Sequence, residues 1–310
     1  MEILNHLTNI NIKKPVVAIG VFDGIHLGHQ ALIKKAVRRA KAIKGTAVVV
    51  TFFPHPVQVL NKNVDVSLLV SLKHRLQLIE DLGVSVCVVI RFTRKFSLLE
   101  PKEFVEKCLV ESVRPVEIFV GDDFHFGRSG LGNGRILKQS ANVFGIRTTI
   151  VRSVELNEKR ISSSLLRKLI AKGKLGDAEK FLGQKVSTLG KVVHGDHRGK
   201  RIGTPTANIN PGKEILPPRG VYAVRVRLGS QLFDAVANIG QRPSFKRDNK
   251  INLEVHIFDF CKNIYGKEIE VLFLKKIRNE QGFKTTKFLI EQIEKDKQKA
   301  LRYFLQKKSA

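Results

Sequence analysis

Tryptophan is absent from the 310 residues, and aromatic side chains make up only 7% of them. Single-strand nucleic-acid binders need aromatic platforms interleaved with basic residues, so a nucleic-acid partner is not expected. Cysteine is scarce. Cys87, Cys108 and Cys261 form no CxxC pair, which argues against a structural zinc site and a disulfide framework and suits a reducing, cytoplasmic setting. Cys87 and Cys108 fall in apolar strand-like and helix-like runs and read as small buried hydrophobes. No apolar run approaches the roughly 18 residues of a bilayer-spanning helix. The opening MEILNHLTNINIKKP also lacks the basic-then-apolar order of a secretory signal, so no membrane association is expected. Acidic residues are few, 28 against 55 basic, for a net charge of +27. That balance favours anionic partners such as phosphorylated small molecules. Its even spread along the chain also suits a plain solubilising role.

What is present is ample core material. Hydrophobic residues are 43% of the chain and charged residues 27%, a globular composition long enough for one large domain or two ordinary ones. The first half alternates apolar strand patterns at 15–22, 46–53, 84–92, 116–121 and 146–154 with helical patterns at 29–44, 71–82, 101–113 and 134–144. Continuous apolar strands alternating with helices predict a parallel sheet covered on both faces. A further helix is expected over 162–182, ending at Gly183. From 186 to about 280, short alternating runs follow one another with no helix pattern between them, which predicts an antiparallel sheet or small barrel. A helix closes the chain at about 284–307. The expected fold class is therefore α/β plus β, with domains at 1–184 and 185–310.

The run GVFDGIHLGH (20–29) links the first of these strands to its helix. Here His26 and His29 would need third and fourth partners to bind a metal, and no Cys/His cluster lies near in sequence. Strand ends of open α/β sheets are where ligands bind, and the following helix offers free N–H groups and a partial positive charge to phosphate. Gly24 and Gly28 allow close backbone approach. Farther on, ISSSLLR (161–167) places Ser162, Ser163, Ser164 and Arg167 at a helix start, where hydroxyls, amides and a guanidinium suit a triphosphate, or where serine simply caps the helix.

Together these segments resemble the nucleotidylyltransferase superfamily, and the FDG form resembles prokaryotic FAD synthetases. FFPHP (52–56) and GDDFHFGRSGLGN (121–133) add to the likeness. The resemblance implies nucleotide contacts at Gly20, Phe22, Asp23, Gly24, Gly28, Ser162, Ser163 and Ser164. It implies charge neutralisation by His26, His29 and Arg167, and flavin contacts at Phe53, Pro54, His55, Pro56, Asp123 and Phe124. Ser164 and Leu166 stand where that family usually has threonine and isoleucine.

In the second half, HGDHRGKRIGTPTANI (194–209) has a basic loop with Gly195, Gly199 and Gly203, which could fold over phosphates. Thr206 and Asn208, two apart on a strand, share a face; their oxygens could hold magnesium, which takes hard oxygen ligands. In LEVHIFDF (253–260), Glu254, His256 and Phe258 share one strand face, and Glu254 could serve as a salt-bridge partner or a general base. The stretch from about 187 to 305 resembles riboflavin kinase. That likeness implies a six-stranded antiparallel barrel with a C-terminal helix, Mg–ATP at Thr206 and Asn208, Glu254 as the general base, and flavin contacts at Arg278 and Phe283. Thr204 replaces a usually aromatic residue and Ser244 a usual threonine. The two halves in this order resemble the bacterial bifunctional riboflavin kinase/FAD synthetase family. This implies ATP, riboflavin, FMN and FAD as partners and Mg²⁺ with ATP as the cofactor, with no tightly held organic cofactor. It leaves room for a weak homo-oligomer.

Overall fold

The computed structural model describes residues 1–5, 11–61, 67–195, 203–241 and 251–308; Gly199 and Ser244 lie outside them. Contacts divide the chain into two units, residues 1–68 with 72–163, and residues 69–71 with 164–310.

The first unit is built on six parallel strands: β1 (Glu2–Leu4), β2 (Pro15–Ile19), β3 (Thr46–Phe53), β4 (Val86–Arg91), β5 (Glu117–Gly121) and β6 (Arg147–Val151). Their spatial order is β1-β4-β3-β2-β5-β6. Helices α1 (Leu27–Ala42), α2 (Leu72–Glu80) and α3 (Gly134–Asn142) cross over between them. The five residues of β2 are all buried, because alternate side chains serve two cores. Val17 and Ile19 pack with Phe104, Leu109 and Leu137 on one face. Val16 and Ala18 pack with Ile33, Ala36, Val37 and Ile79 on the other. Each such aliphatic side chain contributes roughly 1.5–3 kcal/mol on burial. Helix α1 buries Leu32, Ile33, Ala36, Val37 and Ala40, the three-and-four spacing of one helical face.

The expected strands are all present, trimmed at their ends. The three-residue β1 was too short to read, and it joins the sheet edge beside β4. The helix expected over 101–113 starts as α-helix at Pro101–Glu103 and continues as a π-helical turn over Phe104–Val110. The single helix expected over 162–182 is two, α4 (Ser163–Ala171) and α5 (Leu175–Leu182). Gly173 between them has φ +71°, a left-handed conformation that ends a helix cheaply only at glycine.

The second unit is a closed antiparallel barrel of β7 (Ser187–Val193), β8 (Ala207–Asn210), β9 (Gly220–Leu228), β10 (Gln231–Gln241), β11 (Ile251–Ile257) and β12 (Glu268–Arg278). The order around it is β7-β8-β11-β10-β9-β12. Along β11, Leu253, Val255 and Ile257 are buried while Asn252, Glu254 and His256 are only partly so. Period-two alternation therefore puts the apolar set inside and the polar set on the outer wall. The final helix α6 (Thr286–Lys308) lays Ala300 and Phe304 on Val221, Ala223 and Val236.

Candidate active sites

In the first unit, the chain leaves β2 through a tight turn. A side chain on Gly20 would come within 2.9 Å of the Phe22 ring and would have to displace that buried ring. Phe22, Gly24 and Ile25 all take positive φ, and the turn delivers His26 to the N-cap of α1. His26 Nδ1 accepts a hydrogen bond from the His29 N–H at 3.3 Å, which leaves the proton of the neutral ring on Nε2. The two imidazoles stack at 3.6 Å with an 18° tilt, and Phe22 meets His29 edge-on at 5.3 Å. No acidic residue occupies the first turn of α1, so no carboxylate of the helix itself offsets its free amides and positive end.

Burial pushes the His26 pKa down to about 4 against the opposing pull of Asp123 and Asp23. Burial also holds His29 well below the usual imidazole range, helped by His26 and by the Arg75 guanidinium. At neutral pH both rings are uncharged and are not resident cations. Among the described residues no group of three or more His, Cys, Asp or Glu could hold a metal ion.

The other motifs gather at the same strand ends. Ser163 Oγ donates to the Asp23 carbonyl at 2.9 Å, tying the serine run to the glycine turn. The division between units falls inside that run: Ser162 and Ser163 belong to the first, Ser164 and Arg167 to the second. Phe53 ends β3 and is 40% exposed. A cis Phe53–Pro54 bond follows, and His55 Nδ1 accepts from the Val57 N–H at 3.2 Å, capping the short helix Pro56–Leu60. Beyond β5, Phe124 stacks on Phe126 at 5.5 Å. Arg160, just ahead of the serine run, pairs with Asp122 at 3.2 Å and Asp123 at 3.0 Å.

In the barrel, register does the assembling. Glu254 on β11 lies opposite Asn208 on β8 and Asn238 on β10, so a carboxylate and two amides form one row across three strands of the outer wall. Asn252, missed in the sequence, knits the row. Its Nδ2 donates to Glu254 Oε1 at 2.7 Å and to Asn208 Oδ1 at 3.2 Å. It sits two residues before Glu254, and that spacing is the signal that could have found it. Gly195 passes so close that a Cβ there would lie 2.1 Å from Asn208 Nδ2. Thr206 immediately precedes β8, and His256 Nδ1 lies 2.8 Å from the Pro205 carbonyl. Gly203 has φ +75°. The side-chain oxygens of Thr206 and Asn208 are hard donors of the kind that would suit magnesium.

Arg278 and Phe283 also come together, the guanidinium 5.7 Å from the ring. Arg278 is at the same time tied to buried Asp296 of α6, Nη2 to Oδ2 at 2.8 Å and Nε to Oδ2 at 2.9 Å. Its position is therefore set by the final helix.

An open parallel sheet with a glycine–histidine turn at its strand ends, joined to a closed barrel with a carboxylate–amide row on its wall, defines a two-unit nucleotide-handling chain. Family models match it twice, FAD synthetase over residues 9–165 and riboflavin kinase over residues 182–304. The bifunctional riboflavin kinase/FMN adenylyltransferase of Bacillus subtilis is 38% identical over 304 residues, 97% of this chain and 96% of that protein. The Escherichia coli K12 protein of the same name is 36% identical over 290 residues, 93% of this chain and 92% of that one. A crystal structure of a macrolide-efflux protein from Streptococcus pneumoniae superposes with a TM-score of 0.83 at 31% identity, covering 96% of this chain and 98% of that one. Among the described residues no helix is long and apolar enough to cross a membrane. The chain belongs to the bifunctional riboflavin kinase/FMN adenylyltransferase family.

Proposed function

We propose that the chain converts riboflavin to FMN and FMN to FAD in the cytoplasm, with residues 185–310 acting as the kinase and residues 1–184 as the adenylyltransferase. The observation that carries the reading is that each half has its own polar constellation at the place its motifs predict. The neutral histidine pair caps a helix in one half, and the Asn208–Asn252–Glu254 row lies on the barrel wall in the other.

In the kinase step, the ribityl 5′-hydroxyl oxygen attacks the γ-phosphorus of ATP, and ADP departs. Glu254 takes the hydroxyl proton, and Asn252 holds the carboxylate in orientation for it. Thr206 and Asn208 would hold Mg²⁺, which when bound offsets negative charge on the phosphates; alignment and charge neutralisation are most of what phosphoryl transfer requires. Gly195 brings backbone close to the same oxygens, and Arg278 with Phe283 flanks the flavin.

In the second step an FMN phosphate oxygen attacks the α-phosphorus of a second ATP, and pyrophosphate departs. That nucleophile is already an anion and needs no base. His26 and His29 donate to phosphate oxygens as charge shifts toward the pyrophosphate, the amides of α1 add a fixed positive end, and Ser162 and Ser163 take part in holding the triphosphate. Phe53 to Pro56, with Asp123 and Phe124, line the flavin side.

The test is a time course with purified protein, riboflavin and Mg–ATP, with riboflavin, FMN and FAD separated. FMN rises first and FAD follows. A second reaction started from FMN yields FAD without a lag. Absence of both products refutes the reading; FMN that is never converted refutes its second half.

A further inference from the structure

We propose that Arg75 is a positioning residue for adenylyl transfer, one buried guanidinium that ties the glycine–histidine turn to the strand end leading into the FFPHP segment. The inference rests on the function proposed above for the first unit.

Arg75 lies on α2, and its side chain is 0% exposed. Burying a guanidinium is costly unless its charge and its donors are used, and a methionine of similar length would fill the space without that cost. What the guanidinium does here is specific. Nη1 donates to the Val21 carbonyl at 2.9 Å, the Phe52 carbonyl at 3.2 Å and Thr51 Oγ1 at 3.2 Å. Thr51 Oγ1 donates in turn to the same Val21 carbonyl at 3.0 Å.

These acceptors lie where two strands part. The ladder between β2 and β3 runs to Ile19 opposite Val50, and the Gly20 N–H still reaches the Val50 carbonyl at 3.1 Å. Beyond that point the chains splay, one into the turn holding Asp23 and His26, the other into Phe53 and His55. The carbonyls of Val21 and Phe52 have left the ladder, and buried carbonyls need donors. Arg75 supplies one donor group to both. Its charge is felt at His29 and complements Asp23, so the same group lies within electrostatic reach of the nucleotide turn. Nε and Nη2 are buried and make no hydrogen bond among the described residues, so what they contribute is charge.

A shared tie predicts a shared defect. The nucleotide turn and the flavin segment should loosen together when it is cut. The experiment uses the full chain with Arg75→Met, Arg75→Lys and Thr51→Val. FAD synthesis is measured with ATP and FMN each varied, FMN formation from riboflavin is followed in the same preparations, and amide hydrogen exchange is read in peptides covering 18–30 and 50–58.

Arg75→Met should raise KM for both ATP and FMN about tenfold, the scale of lost hydrogen bonds to a charged group. Exchange should quicken in both peptides, and FMN formation should stay within twofold of wild type. Arg75→Lys should fall between, since an ammonium reaches fewer of the acceptors at once. Thr51→Val should move both KM values the same way by about threefold, and it carries the test if Arg75→Met does not fold. A fall in apparent kcat with both KM values unchanged would mean a smaller folded fraction and would overturn the proposal. So would a shift in one KM alone, or exchange that quickens in only one peptide. A wild-type chain that makes no FAD would refute the functional reading instead, while the exchange comparison would still decide whether the tie exists.

Discussion

Gly195→Ala is the most economical way to disturb the kinase site without removing any side chain assigned to it. The added methyl would lie 2.1 Å from Asn208 Nδ2, 2.5 Å from its Cγ and 2.9 Å from its Oδ1, where carbon contacts settle near 3.5 Å or more. Either the loop backbone or the amide must move by more than about 1 Å, and the amide is the softer of the two. Its bond from Asn252 is a long one, at 3.2 Å. Losing such a bond costs about 1 kcal/mol, and local overpacking adds about 1 kcal/mol at the lower end of its range. Some 2 kcal/mol of lost alignment corresponds to a fall of about 30-fold in kcat/KM for Mg–ATP in FMN formation. The assay is riboflavin phosphorylation with Mg–ATP varied, with FMN-to-FAD conversion and the thermal midpoint measured on the same protein. The conversion should be unchanged and the midpoint nearly so, because a wall side chain moves and the core does not. A kinase kcat/KM within twofold of wild type would refute the account of Gly195 as a close-approach residue and, with it, the importance of where Asn208 sits.

Glu254→Gln keeps the Asn252 contact in shape but cannot take a proton, so FMN formation should fall about 100-fold or more while FMN-to-FAD conversion persists; equal losses in both assays would sink the separate-site assignment. His29→Ala should do the reverse, cutting FAD synthesis on the scale of one lost transition-state donor, about 100-fold, and an unchanged rate would remove His29 from the phosphate site. Acid stability follows from His26. Its folded pKa of about 4 lies below the unfolded value of 6.5, so the unfolded chain binds the extra proton. The contribution is therefore present above pH 6.5 and lost as pH falls toward 4, amounting to about 2 kcal/mol between pH 7 and pH 5. The urea midpoint of the first unit, read by hydrogen exchange in α1, should drop over that interval, and a flat midpoint would contradict the burial argument.

The parallel sheet was legible because its strands are buried on both faces and read as unbroken apolar runs, VVAI and AVVV among them. The barrel was legible through the period-two pattern of segments such as LEVHIF. The placement of Gly20 to His29 and Ser163 could be read because strand-end turns carry their chemistry in short contiguous strings, and that of Glu254 because it breaks the apolar set of an alternating strand. Arg75 could not. In SLKHRLQLIEDLG it looks like part of a charged helix face, which ordinarily meets water, yet His74 and Arg75 are both buried. Only the splaying of β2 from β3, a long-range event, creates the carbonyls that require it. Asn252 was hidden for a similar reason, since its partners become neighbours through the pairing of β8, β10 and β11. The break at Gly173 was missed because the apolar period continues across it.

The closed barrel keeps its chemistry on the outside of its wall. Along β11 the residues that fill the interior and those on the outer wall alternate one by one, so the two sets meet different physical demands. The interior tolerates exchange among aliphatic side chains of similar volume without touching Asn252 and Glu254, and an exchange at Asn252 would alter the row without disturbing the packing beneath it. A one-residue slip of β11 would exchange the two sets entirely, and a barrel without free edges gives that strand no neighbouring register into which it could slip unopposed. The fold thus lets the outer wall vary in small, separately tolerated steps while guarding against the one error that would erase it.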